Sequence, residues 1–172
     1  MSHLVGRKVE AARLRAAVLR VESGRGGTVL VEGDAGIGKT ALLDLVAAYC
    51  RRAGMTLLRG GGSPLEQGLP FAALLSGLRG HHQEASPQIT ALLRGEGTHE
   101  AESRMASITE AVAQTLHRWT GGSPVVLLLD DIQWADSASL EVLNRLARHS
   151  DRPPLLVVAA TRTAPTVCIL LP

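Results

Sequence analysis

Cysteine and aromatic residues are scarce in this chain of 172 residues, and each scarcity argues against a class of protein. The two cysteines, Cys50 and Cys168, are too few for a disulfide framework and lack the spacing of metal ligands. They favour a reducing compartment with free thiols. Aromatic residues make up 2% of the chain, so no base-stacking surface for nucleic acid is expected.

Membrane-spanning and secretory segments are not expected either. No apolar run approaches the roughly 20 residues that a helix needs to cross a bilayer. Charged residues interrupt the N-terminus, where a signal peptide needs an apolar core: Arg7, Lys8, Glu10 and Arg13. The net charge of +2 is small and its charges are scattered. We therefore predict a cytoplasmic protein with no membrane partner and no direct contact with nucleic acid.

Residues 33–40 match the phosphate-binding loop pattern G-x-x-x-x-G-K-[ST]. An apolar run typical of a buried strand precedes them, and apolar residues with helical spacing follow. Lys39 would contact the β- and γ-phosphates, and the Thr40 hydroxyl would ligate Mg²⁺. A glycine-rich turn that binds nothing is the alternative, and the flanking strand and helix argue against it. The predicted phosphate-binding residues are Asp34, Ala35, Gly36, Ile37, Gly38, Lys39, Thr40 and Ala41.

A second motif lies about ninety residues further on. Residues 125–129 are a continuous aliphatic run, as expected of a strand buried on both faces of a parallel sheet, and Asp130 and Asp131 follow it. In proteins with a phosphate-binding loop, a carboxylate here holds Mg²⁺, and Asp130 is the candidate. Asp131 would point toward the γ-phosphate and polarise a water as general base. The alternative is a turn with a helix cap.

Strands and helices are predicted to alternate along the chain. We predict strands at residues 28–32, 55–59, 125–129 and 155–160, and helices at residues 9–21, from Ala41, from Pro70, at 87–93, at 101–119 and from Ser137. Residues 60–64 are interpreted as a break, and the last helix is predicted to bury Leu140, Leu143 and Leu146. The alternation predicts an α/β doubly wound parallel sheet of about four strands, with helices on both faces.

Three segments together resemble the ATPase module of the STAND branch of AAA-related proteins: residues 4–10, 29–40 and 130–136. The greatest similarity is to the N-terminal ATPase domain of the large ATP-binding LuxR-family transcriptional regulators of actinomycetes, which residues 60–78 also resemble. The resemblance covers residues 4–162. It implies a P-loop NTPase fold with strand order 5-1-4-3-2. The fifth strand is expected to be missing from this chain or replaced by the apolar tail, so the order expected for the other four strands is 1-4-3-2.

The resemblance also implies roles for single residues. Val5, Gly6 and Arg7 would lie beside the nucleotide, although Lys8 departs from the family, which commonly has an acid there. Arg162, which follows the fourth strand, would sense the γ-phosphate, unless it is an ordinary surface residue. The candidate catalytic residues are therefore Asp131, Lys39 and Arg162. Gln133, Trp134 and Asp136 are similar to signature residues of the family, with Trp134 expected to pack the loop and Asp136 to cap the next helix beside Ser137.

The expected function is that of an ATP- or ADP-binding switch with Mg²⁺ and slow or partner-dependent ATP hydrolysis. A stand-alone nucleotide-processing enzyme of kinase type and an inactive fragment are the alternatives. Residues 1–162 are predicted to form a truncated ATPase domain without lid or effector domain, followed by an apolar tail at 163–172. Besides nucleotide, the expected partners are a second copy of the chain, bound through an open sheet edge, or effector domains absent from this chain.

Overall fold

A computed structural model describes residues 7–78, 91, 101–148 and 154–162. The strands are β1 (Gly27–Glu32), β2 (Thr56–Gly61), β3 (Val125–Asp130) and β4 (Leu155–Thr161). The helices are α1 (Lys8–Glu22), α2 (Lys39–Arg52), α3 (Ala72–Leu78), α4 (Ala101–Thr120) and α5 (Ser137–Arg148), with a 3₁₀ turn at Ile132–Trp134. The short helix predicted at 87–93 lies outside the described residues except for Ala91, and so do Val5, Gly6 and the tail at 163–172.

The four strands form one parallel sheet in the order β1-β4-β3-β2. The predicted order is therefore confirmed. All seven residues of β4 and the first five of β3 are buried, whereas the burial of β1 and β2 is interrupted. Continuous aliphatic strands take the centre of the sheet because helices cover both of their faces.

Helices cover both faces of the sheet, as predicted. Since successive strand residues point to opposite faces, β3 and β4 contribute to two cores. On one face α1 and α2 pack against Val126, Leu128 and Val158. On the other face α3, α4 and α5 pack against Leu127 and Leu129 of β3 and against Leu155, Val157 and Ala159 of β4. Among the described residues, no helix has both the length and the apolar character needed to cross a membrane.

The break predicted at residues 60–64 begins two residues too early, because β2 continues through Gly60 and Gly61 and ends there. A Cβ atom at Gly60 would collide with the backbone of Gly77 in α3, and one at Gly61 would collide with the carbonyl oxygen of Asp130. The glycines therefore allow the strand to pass closely beneath α3 and beside the end of β3. Their role is close approach and not chain reversal.

The predicted start of α3 at Pro70 is also wrong, since the helix begins at Ala72. Phe71 has a positive φ of 65° and lies outside the helix. Its backbone N–H donates to Asp136 Oδ1 at 2.8 Å, and the N–H of Ala73 donates to Asp136 Oδ2 at 3.4 Å. A carboxylate that lies 65 residues away in the chain therefore fixes the start of this helix.

Asp136 also caps α5. It accepts a hydrogen bond from the N–H of Ser139 at 2.8 Å, whereas Ser137, the other candidate cap, is the first residue of the helix. The predicted apolar stripe is partly wrong. Leu140 is 40% exposed, and Val142 is buried in its place together with Leu143 and Leu146. The stripe is shifted because the hydroxyl of Ser139 is buried beside α3, where it accepts from the N–H of Leu74 at 3.0 Å.

Candidate nucleotide site

The loop that follows β1 has the backbone conformation of an anion-binding turn. Gly36 and Gly38 adopt positive φ angles of 77° and 99°. A Cβ at either position would meet no atom within 4 Å, so backbone conformation and not packing requires these glycines. Gly38 precedes α2 and has no side chain to cap it. The first N–H groups of α2 are therefore oriented for an anionic ligand.

The side chain of Lys39 lies across this loop and is 8% exposed. Its Nζ atom donates to the carbonyl oxygens of Gly33 at 2.7 Å and Asp34 at 2.9 Å. An ammonium group has three donors, so these two contacts leave one for a ligand. The loop backbone thus holds the charge of Lys39 at the centre of the turn.

Thr40 and Asp130 meet although 90 residues separate them in the chain. The hydroxyl Oγ1 of Thr40 donates to Asp130 Oδ2 at 2.9 Å. The other carboxylate oxygen, Oδ1, accepts from the N–H of Asp131 at 3.0 Å. Hydroxyl and carboxylate oxygens are the hard ligands that Mg²⁺ prefers in proteins. The two predicted metal ligands are therefore adjacent and chemically suited to that ion.

Asp131 and Arg162 follow the ends of β3 and β4, which are neighbours in the sheet. Arg162 Nε is 3.3 Å from Asp131 Oδ1, in an ion pair whose side chains are 51% and 39% exposed. Asp131 itself has left-handed backbone angles, φ 51° and ψ 43°. Arg162 directly follows β4, so the central position of β4 places the arginine beside the acid at the end of β3.

A cavity of about 290 Å³ joins these groups. It is lined by Ala35, Gly36, Gly38, Lys39, Thr40, Asp130, Asp131 and Arg162. Two cations and two carboxylates therefore face one space above the carboxyl ends of the strands, where ligands bind in open α/β sheets.

Three of the predicted phosphate-loop residues do not line the cavity. Asp34 contributes its carbonyl oxygen to Lys39, and Ala41 lies in the first turn of α2. Ile37 is 47% exposed, and its carbonyl oxygen accepts from Arg7 Nη2 at 3.4 Å. Arg7 also pairs with Glu10 at 2.8 Å, and this hydrogen bond lowers the pKa of Glu10. Arg7 is therefore held against the outer side of the phosphate loop, while Val5 lies outside the described residues.

Residues 3–158 match the family model of the AAA ATPase domain. The chain belongs to this family. The predicted membership of the AAA-type ATPases is confirmed. The narrower assignment to STAND or LuxR-family regulators stays a prediction.

A protein of Rhizobium meliloti (strain 1021), named as uncharacterized, is 28% identical to this AAA ATPase domain over 174 residues. The match covers 83% of this chain and 17% of the relative, so the chain spans about a sixth of the relative's length. The Aeropyrum pernix ORC2 protein, solved as ADPNP-ADP complexes, superposes with a TM-score of 0.61 at 19% identity, over 92% of this chain and 41% of that one. Drosophila ORC bound to DNA gives 0.56 at 19% identity, over 92% and 38%. Both structures share the fold.

The AAA ATPase domain also depends on residues whose role the sequence did not reveal. A Cβ atom at Gly62 would lie 2.6 Å from the backbone nitrogen of Ala135 and 2.8 Å from the carbonyl oxygen of Asp131. The turn that carries the two acids therefore rests directly on the end of β2. The three consecutive glycines at 60–62 are the available signal, but the sequence around them predicts only a chain break. Gln133, which contacts Asp131, is similar to a signature residue of the family, and the sequence alone does not predict this contact.

Proposed function

We propose that this domain binds ATP or ADP with Mg²⁺ and acts as the switch module of a STAND-type regulator, most like the ATPase domain of large ATP-binding LuxR-family regulators. The observation that carries the proposal is the hydrogen bond between Thr40 and Asp130 beside the enclosed ammonium of Lys39. A turn that bound nothing would gain little from bringing these three groups together at the ends of two non-adjacent strands.

In the proposed complex the backbone N–H groups of residues 34–41 surround the phosphates, and Lys39 contacts the β- and γ-phosphates. Thr40 and Asp130 hold Mg²⁺, which offsets phosphate charge when bound. Arg7, held against the loop at Ile37, lies on the side where the nucleoside is expected, and Val5 is proposed to pack there.

Hydrolysis would use the ion pair of Asp131 and Arg162. Asp131 polarises a water whose oxygen attacks the γ-phosphorus, and Arg162 contacts the γ-phosphate. The bond to the β–γ bridging oxygen breaks, the proton of water passes to Asp131, and ADP and phosphate leave. We propose that turnover is slow or depends on a partner, because an additional arginine supplied by a neighbour is worth on the order of 10³–10⁵ in rate in related nucleotidases.

The partners proposed for the domain, residues 1–162, follow from its sheet. In the described sheet β1 pairs with β4 on one side only. An open strand edge favours pairing with another strand. We propose that a second copy of the chain, or the apolar tail at Val167–Leu171, occupies this edge. Effector domains of a longer protein are the other proposed partners, since the Rhizobium relative is about six times as long as the segment it shares. Cytoplasmic location and the absence of direct nucleic-acid contact also remain proposals.

Calorimetric titration with Mg·ADP and with a slowly hydrolysed ATP analogue tests the assignment. Lys39→Ala should weaken binding about tenfold or more, since each hydrogen bond to a charged group is worth roughly 1.5–3 kcal/mol. Lys8→Ala is the matched control, because Lys8 is the only other lysine in the chain and lies on the exposed face of α1. Equal affinity in the Lys39 variant and the wild type would refute the assignment. No binding by the wild type would favour the inactive fragment.

A further inference from the structure

Gln133 connects the end of β3 to the end of β4. It lies in the 3₁₀ turn two residues after Asp131. Its Nε2 atom donates to Asp131 Oδ1 at 2.8 Å. Its Oε1 atom accepts from the backbone N–H of Arg162 at 3.0 Å and from the Thr161 hydroxyl at 3.4 Å. One amide group therefore bridges the acid and the residue that carries the neighbouring arginine.

The chemistry of the two partners fixes the orientation of this amide. An ionised carboxylate can only accept a hydrogen bond, and a backbone N–H can only donate one. The bridge consequently needs a donor at one end and an acceptor at the other, which glutamine supplies. Glutamate would keep the acceptor toward Arg162 and lose the donor toward Asp131. Leucine would lose both.

In the described part of the chain, the Asp131 carboxylate makes one polar contact besides that with Gln133, the ion pair with Arg162. Its ion pair with Arg162 joins two side chains that are each more than a third exposed, at 3.3 Å, and such pairs constrain a side chain weakly. The short hydrogen bond from Gln133 is therefore the contact that fixes the direction of the Asp131 carboxylate.

We propose that Gln133 is a positioning residue for hydrolysis, which holds the Asp131 carboxylate and the Arg162 backbone as one rigid unit beside the phosphate cavity. This inference rests on the proposed function. Gln133 touches neither nucleotide nor water and acts through Asp131, which receives the proton of the attacking water, and through Arg162, which contacts the γ-phosphate. Among the residues that the structure describes, Gln133 makes its hydrogen bonds to Asp131, Thr161 and Arg162, and makes none to the phosphate loop or to the proposed metal ligands Thr40 and Asp130. We therefore expect it to contribute to turnover and not to nucleotide affinity.

The test compares Gln133→Glu and Gln133→Leu with Gln114→Glu in the full chain. Gln114 is the matched control, because its Nε2 atom also donates to a carboxylate, that of Glu110 at 2.7 Å on the exposed surface of α4. Three quantities are measured: affinity for Mg·ADP by calorimetry, kcat and KM for ATP from phosphate release over hours, and amide hydrogen exchange at Arg162 by NMR without nucleotide.

Both Gln133 variants should bind Mg·ADP like the wild type and keep KM, while kcat falls about 10- to 100-fold, the usual effect of a misplaced catalytic group. Exchange at the Arg162 amide should accelerate in Gln133→Leu and stay slow in Gln133→Glu, which retains the acceptor. Gln114→Glu should match the wild type throughout.

Other results overturn the inference. Wild-type kcat in both Gln133 variants would show that the bridge does not position Asp131. A parallel loss of Mg·ADP affinity would assign Gln133 to the stability of the loop. A wild-type chain that binds Mg·ATP without ever hydrolysing it would also refute the inference, since Asp131 would then activate no water. Failure of the wild type to bind any nucleotide would instead refute the proposed function itself.

Discussion

Replacing Asp136 by alanine should destabilise the domain far more than the loss of an ordinary surface charge. Asp136 is 9% exposed, and its carboxylate accepts from the N–H groups of Phe71, Ala73 and Ser139 and from the Ser139 hydroxyl at 2.7 Å. It caps α5 and also holds the residues at which α3 begins. One side chain thereby joins two helices on the same face of the sheet.

The expected loss follows from these contacts. Removing a helix N-cap costs about 1 kcal/mol. Each buried donor left without a partner costs roughly 1–3 kcal/mol, and at least the N–H of Phe71 and the Ser139 hydroxyl would be left so. We therefore expect Asp136→Ala to lower the free energy of unfolding by about 3–7 kcal/mol, a large share of the roughly 5–15 kcal/mol typical of a domain. Glu141→Ala is the matched control. It removes an exposed ion pair with Arg145 on the same helix and should cost about 0.3–0.5 kcal/mol.

The effect should depend on pH. Burial alone would raise the pKa of Asp136, but hydrogen bonds from the side chain and backbone of Ser139 and from the N–H groups of Phe71 and Ala73 outweigh it and lower the pKa. A lowered folded-state pKa means that the carboxylate stabilises the fold above the unfolded-state value of about 3.9 and loses this contribution as pH falls through the folded-state pKa.

Urea unfolding of the wild type, Asp136→Ala, Asp136→Asn and Glu141→Ala at pH 7 and at intervals below pH 4 measures both effects. The stability difference between the wild type and Asp136→Asn should shrink as the carboxylate is protonated. A loss of less than about 1 kcal/mol in the free energy of unfolding of Asp136→Ala at pH 7 would refute the argument that buried donors lose their partner. If the wild type stays more stable than Asp136→Asn by the same free energy throughout the acid range, protonation of Asp136 does not control this part of the stability.

Three further predictions concern the site and the core. Asp130→Asn should weaken Mg²⁺-dependent nucleotide binding, whereas Asp131→Asn should keep the affinity and slow hydrolysis. Calorimetry with and without Mg²⁺ measures the affinity, and phosphate release measures hydrolysis. Identical behaviour of the two variants would contradict these separate roles. Gly60→Ala should lower the free energy of unfolding by about 1–3 kcal/mol, because the added Cβ atom overpacks the space beneath α3. Gly68→Ala is the control and should leave the melting temperature nearly unchanged, since a Cβ atom there meets nothing within 4 Å. Equal melting temperatures for the two variants would contradict the predicted clash at Gly60. Cys50 is fully buried, and burial raises the pKa of its thiol to about 11. A thiol reagent at pH 8 should therefore label Cys50 only after unfolding, as measured by peptide mass spectrometry. Rapid labelling of Cys50 in the native protein would show that it is not buried in the core.

The central strands could be predicted from the sequence because their signal is local. Residues 125–129 and 155–160 are continuous aliphatic runs too short for a typical helix, and a strand covered on both faces buries every residue of such a run. The end of β2 could not be predicted in the same way. Consecutive glycines favour a break in most sequences, and only the closeness of α3 and of Asp130 shows that they extend the strand.

The candidate site likewise has residues that local motifs predict and contacts that depend on tertiary packing. Lys39, Thr40 and Asp130 each belong to a recognisable motif, and the structure brings all three to one cavity. The start of α3 depends on a carboxylate 65 residues away, and the bridge through Gln133 depends on where β4 ends. Contacts of this kind join elements whose relative position is decided by tertiary packing. Neither propensity nor spacing within one segment carries that information.

The last strand that the structure describes, β4, lies in the middle of the sheet, which has a consequence for synthesis. β1 and the phosphate loop that follows it leave the ribosome before β4, which is the partner of β1 in the described sheet. The strand pairing of Gly27 with Leu156 therefore cannot form until β4 has been synthesised. Until then Thr40 and Asp130 belong to elements that no strand joins. Closing so long a loop is slow, and the exposed strand edges favour aggregation while it remains open. A nascent chain stalled before residue 155 would therefore carry a complete phosphate loop and no nucleotide cavity, with a gap between β1 and β3 as a binding site for chaperones.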